Sequence, residues 1–186
     1  MAEITTLDYP NEPDFVQVWT TFKETGQRFK ETGQILKEFS RQIDDLQNSF
    51  GEITDHLVAP GIADRFNELG YKFDAFSPGG HRILDDLGKI KTEIGIILEN
   101  GRCVMAVEVK TEPKLWDIYH HIKRLEILRE HRNKHNDKRV IQGAIAGTVF
   151  GSMEKQAVLE AGLYVIELSE GTIKLEFPDG FVPGEW

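Results

Sequence analysis

Glu108 and Lys110 stand two residues apart at the end of the apolar run Cys103 to Val109. On a strand that spacing puts both side chains on one face. Ionisable groups at the end of a buried strand are costly without a partner or a metal. The preceding segment offers a second carboxylate, Glu93, on the same face as Gly95, and Asn100-Gly101 is a strong hairpin signal between the two segments. Glu93, Glu108, the main-chain carbonyl of Val109 and Lys110 can then meet. An oxygen cage of that kind suits Mg²⁺ or Mn²⁺. A metal held there would bind a scissile phosphate and lower the pKa of the attacking water, with the lysine orienting that water or stabilising developing charge. Taken alone, Glu-x-Lys is equally an ion pair at a frayed strand end. Its place after the hairpin turn, on a strand apolar on both faces, points to chemistry.

The elements that must position these residues follow from periodicity. Residues 51–69 carry helical apolar spacing through Ile53, Leu57, Ile62, Phe66 and Leu69, with Pro60 expected to divide the helix and Gly70 to end it. Residues 71–76, 91–98 and 102–110 read as strands, and 114–132 as a helix with Leu115, Ile118, Ile122, Leu125 and Leu128 on one face. A strand over 139–146, a helix over 152–161 and short strands over 163–168 and 172–177 complete the pattern. The segment 81–86 has no clear period. Residues 178–186 read as an exposed tail in which Phe181 and Trp186 are able to dock. This order predicts an α/β domain over 51–177, a mixed sheet with helices on both faces. Cys103 to Val109, apolar on both faces, belongs in its centre.

Residues 1–50 differ. Phe22-Lys23-Glu24-Thr25-Gly26-Gln27 recurs one heptad later as Phe29-Lys30-Glu31-Thr32-Gly33-Gln34. The register places Phe15, Phe22, Phe29, Leu36, Ile43 and Phe50 at a, and Val18, Thr25, Thr32, Phe39 and Leu46 at d. That is a coiled-coil pattern. Asn11 fits an N-cap and Pro13 a first turn. Gly26 and Gly33, at e beside the seam, each cost about 0.5–1 kcal/mol in an isolated helix and leave room for a neighbouring chain. From Phe15 to Phe50 the helix spans about 50 Å at 1.5 Å per residue, more than a body about 35–40 Å across. A homo-oligomer through this arm is the expectation.

Lys114 to Arg139 holds eight basic and four acidic residues in a chain of net charge -9. Phosphate contact by Lys123, Arg124 or Arg129 is one reading, and a solvated amphipathic face is the other. A zinc site from the histidines of this segment is not expected, because His131 and His135, although four apart, lie at the helix end and Cys103 is remote. No nucleophile elbow supports Ser/His/Asp hydrolysis, and Gly147-Thr148-Val149-Phe150-Gly151 lacks the ending of a phosphate loop. The pI of about 5.2 argues against a general nucleic-acid coat. A lone Cys103, no basic-then-apolar start and no long apolar run predict a cytoplasmic chain with no membrane partner.

The run Glu93 to Gly101 followed by Ala106-Val107-Glu108-Val109-Lys110 resembles the hairpin core of PD-(D/E)XK nucleases. The likeness is closest to a bacterial branch with heptad-repeat arms, a Lys-Glu-Thr repeat as at Lys23 and Lys30, and an Ala-rich strand as at Gly143 to Gly147. It extends over roughly residues 20–170. It implies the restriction-endonuclease-like α/β/α fold and Mg²⁺- or Mn²⁺-dependent hydrolysis of DNA phosphodiesters. Glu108 and Lys110 match the catalytic pair, and Glu52 matches an acidic residue that joins the metal site. The position of the first aspartate of the family motif holds Gly95, with Glu93 the nearest acid, although two strand residues span about 6.6 Å. The alternative is a chain that keeps the fold, has lost the chemistry, and serves as an oligomeric DNA-binding or protein-interaction module.

Overall fold

The computed structural model describes residues 15–169 and 171–186, with the side chains of 15 and 43–53 outside that description. Two compact units divide the chain, Met1–Gln47 and Asn48–Trp186. The described residues form three helices, α1 Phe15–Glu68, α2 Leu115–Lys134 and α3 Ser152–Glu160, and eight strands. These are β1 Ala75–Ser77, β2 His81–Leu84, β3 Ile90–Ile94, β4 Ile96–Glu99, β5 Cys103–Lys110, β6 Val140–Gly147, β7 Tyr164–Ser169 and β8 Thr172–Glu176. Among the described residues no helix is long and apolar enough to cross a membrane.

Six strands form one mixed sheet in the order β1-β4-β5-β6-β7-β8. Strand β5 is antiparallel to β4 and parallel to β6, and β6 is parallel to β7. Side chains alternate between two apolar layers. Cys103, Met105 and Val107 pack with Ala59, Ile62, Ala63 and Phe66 of α1. Val104 and Ala106 pack with Ile118, Leu125 and Leu128 of α2 and Val158 of α3. The expected central, doubly buried strand is therefore β5, whose first six residues are all buried.

Two expectations are corrected. Helix α1 continues through Pro60. A proline costs one intrahelical hydrogen bond, and here the burial of Ala59, Ile62, Ala63 and Phe66 around it holds the helix. Its end is as expected, with Gly70 at φ +93° and the Tyr71 N–H returning to the Phe66 carbonyl at 3.2 Å. The expected strand over 91–98 breaks at Gly95. Strand β4 stays in the main sheet, while β3 pairs with β2 in a separate two-stranded sheet.

The hairpin turn is held by the Asn100 side chain, whose Oδ1 accepts from the N–H groups of Arg102 at 2.8 Å and Cys103 at 2.7 Å. The end of the chain docks rather than lying exposed. The Trp186 N–H donates to the Ile141 carbonyl at 3.0 Å, and Gly184 donates to Gly162 at 2.8 Å. Phe181 lies 5.1 Å from the Tyr164 ring. Deleting residues 184–186 removes these bonds and the packing of Trp186, and is expected to lower stability by about 2–4 kcal/mol. Urea denaturation measures it, and an unchanged midpoint would show that the docked segment contributes nothing.

Candidate functional site

Glu108 sits where β5 leaves the core and is only 6% exposed. Its two oxygens are engaged by different cations. Arg124 of α2 donates to Oε2, and Lys110 lies 3.2 Å from Oε1. Burial pushes the Glu108 pKa up, but the charge of Arg124 above all, with His121 and then Lys110 contributing, outweighs it and holds the carboxyl below its ordinary value. The group is an anion at neutral pH. The Lys110 side chain is 41% exposed, so its ammonium reaches solvent from the same site.

Arg124 reaches Glu108 because α2 lies close to the sheet. The approach depends on Gly143 of β6, where a Cβ would come within 2.6 Å of Leu125 and 3.3 Å of His121. His121, fully buried one turn before Leu125, bonds through Nε2 to the Ala106 carbonyl at 3.1 Å. Burial lowers its pKa to about 4, so it is neutral at neutral pH. Arg124 and Lys110 therefore carry the charge balance of Glu108.

The acid expected at position 95 is absent from the sequence, yet a carboxylate occupies its place. A Cβ on Gly95 would lie 2.7 Å from Oδ2 of Asp55 and 3.3 Å from its Cγ. Asp55, on α1, is buried. The β4–β5 register ends at Ile96 opposite Val107, and one further step sets Gly95 beside Glu108. Each layer thus brings a carboxylate to the place where β4 and β5 end, Asp55 against Gly95 and Glu108 against Arg124. Sequence reading missed Asp55. It is in phase with Ala59, Ile62 and Phe66, so an acid on the buried stripe of α1 was the available signal.

The other sequence candidates separate. Glu93 belongs to the two-stranded sheet, where it pairs with Arg82 at 3.1 Å. The side chain of Glu52 lies outside the described residues. Val109 adjoins Glu108 on the opposite face, packed against the α1 layer. Lys123 is paired with Glu126 at 2.8 Å and lies 5.8 Å from the centre of the Tyr119 ring. Arg129 donates to the Arg139 carbonyl at 2.7 Å and to that of Asp137, which ties α2 to the loop before β6. Among the described residues of this set, Glu108 alone is in contact with others of the set, pairing with both Lys110 and Arg124. Among the described residues no group of three His, Cys, Asp or Glu side chains is placed to hold a metal. Mg²⁺ does not need such a group, because it takes one or two carboxylates and completes its shell with water and substrate phosphate. Asp55, Glu108 and the Val109 carbonyl are the oxygens that this end of the sheet offers in chemical type for such a shell.

Gly95→Ala is expected to push against the Asp55 carboxylate and cost about 1–3 kcal/mol, and Asp55→Ala in the same chain should relieve most of that loss. Strictly additive losses in a double-mutant cycle would contradict the contact. His121 predicts a pH dependence. Its folded pKa is depressed from 6.5 to about 4, so the unfolded chain binds the extra proton first as pH falls. Its contribution is complete above the unfolded value and shrinks by about 2 kcal/mol between about pH 7 and pH 5. Urea unfolding at the two pH values, with His121→Leu losing that share of the slope, checks it. Equal slopes would rule it out. The chain matches no family model, no curated protein and no solved structure, so the site is read from its own geometry.

Proposed function

We propose that the chain is a metal-dependent nuclease of restriction-endonuclease-like fold, hydrolysing DNA phosphodiester bonds. The observation that carries this reading is the Asp55 carboxylate in the side-chain space of residue 95, a position one register step beyond Ile96–Val107 and so opposite the ionised Glu108. Asp55 and Glu108 supply the charged oxygens for Mg²⁺ or Mn²⁺, and the Val109 carbonyl supplies a neutral one. When bound, the metal offers Lewis-acid activation of the phosphate and a lowered water pKa. Lys110 leaves Glu108 to donate a hydrogen bond to the attacking water or to the phosphate oxygen on which charge grows. Arg124 keeps Glu108 ionised in a site largely closed to solvent, and Lys123 on the same helix is available to a neighbouring phosphate.

The paired oxygens of Glu108 favour a second reading. With Arg124 on one and Lys110 on the other, the carboxylate is satisfied without a metal. That suits a DNA-binding or protein-interaction module that keeps the fold without the chemistry.

Cleavage of supercoiled, single-stranded and branched DNA with Mg²⁺ or Mn²⁺ separates the two. The nuclease reading expects nicking that falls roughly 10²-fold or more in Asp55→Ala, Glu108→Ala and Lys110→Ala. Full activity in Asp55→Ala and Glu108→Ala would remove this site. No cleavage of any substrate with either metal would favour the module.

A further inference from the structure

Helix α1 exposes large apolar side chains at heptad spacing, with Phe22 at 69% and Phe29 at 75%, and Leu36 and Phe39 also exposed. Between the two phenylalanines and after them stand Thr25 and Thr32. The Thr25 hydroxyl donates to the Thr21 carbonyl at 2.7 Å within its own helix, so it can enter an apolar seam without losing a hydrogen bond. No neighbouring atom lies within 4 Å of the Cβ position of Gly26 or Gly33. The face is therefore an alternation of large and small groups, with a groove of glycines along one side.

From this alternation we propose that the face is covered by a second copy of the chain running antiparallel. In a parallel, in-register pair each a residue meets its own copy, so layers of two phenylalanines alternate with layers of two threonines. Those layers are unequal in volume, which a close-packed seam does not tolerate well. Reversing one helix sets a against d. Phe22 then faces Thr32 of the partner subunit, and Phe29 faces Thr25 of the partner subunit. In the same register Val18 faces Leu36 of the partner subunit, and the two-fold axis passes level with Gln27, with Gly26 of each copy flanking it. Each contact recurs with the roles exchanged, as an isologous interface requires. Among described residues 16–42, the flanking e and g positions hold one charge, Arg28, so ion pairs at those positions do not set a parallel orientation. This proposal is independent of the nuclease reading.

Two single-cysteine additions test it in the full chain, where the buried Cys103 does not compete. The variants are Phe22→Cys and Thr32→Cys; Phe22 and Thr32 are exposed and both belong to the unit Met1–Gln47. Wild type is expected to sediment as a dimer. Under mild oxidation neither variant alone should cross-link, because like positions lie about 15 Å apart along an antiparallel pair. An equal mixture that is unfolded, refolded together and then oxidised should give a disulfide-linked heterodimer in about half of the pairs. Efficient cross-linking of either variant with itself would show a parallel pair. A monomer by sedimentation, or no cross-link in the mixture, would overturn the proposal.

Discussion

A carboxylate removed from water stays ionised only where cations or strong donors replace the lost hydration. The desolvation penalty is several kcal/mol per ion even after relaxation. Glu108 meets that condition at the mouth of the sheet, and much of the body is arranged around it. Strand β5 carries the group out of the core on a fully apolar ladder. Helix α2 must pack closely enough for Arg124 to reach it, which requires Gly143 on β6. Neutral His121 beneath it bonds to β5 itself at Ala106, so the helix is pinned to the strand it serves.

A second absence of side chain does comparable work on the other layer. At Gly95 the chain leaves the main sheet, and the space over that residue admits Asp55 from α1. One helix on each layer thus contributes a charged group to the same strand ends, Arg124 from α2 and Asp55 from α1. A strand residue with a side chain at 95 would exclude the helix carboxylate, so Gly95 and Asp55 are best understood together. In this light the glycine is the condition for an acid to arrive from another element.

Much of the frame was readable from the residues. The doubly apolar run of β5, the Asn-Gly turn and the helical period of α2 gave a covered mixed sheet with Glu108 and Lys110 at its rim. The kink at Gly95 was not readable, because Ile94, Ile96, Ile97 and Leu98 form one apolar run with no polar residue to mark a change of sheet. Glu93 was consequently placed on the wrong ladder, where the pairing with Arg82 now accounts for it. Asp55 was hidden because its contact is tertiary, although its phase with Ala59 and Ile62 set it apart. Docking of Phe181 and Trp186 was open from their apolar side chains, while the main-chain bonds of Trp186 to Ile141 leave no side-chain pattern in the sequence. Arg129 counted as a basic residue in the sequence, and only the fold shows it spent on carbonyls.

The central proposal is that Asp55 of α1 and Glu108 of β5 serve one cation site. Calorimetric titration of Mn²⁺ into the wild-type chain, Asp55→Ala and Glu108→Ala tests it most directly. The account predicts saturable binding to one site in the wild type, lost or weakened at least about tenfold in each variant, since removing either carboxylate takes away a charged ligand. Binding of unchanged affinity in Asp55→Ala, or no binding to the wild type with or without a phosphodiester present, would contradict it.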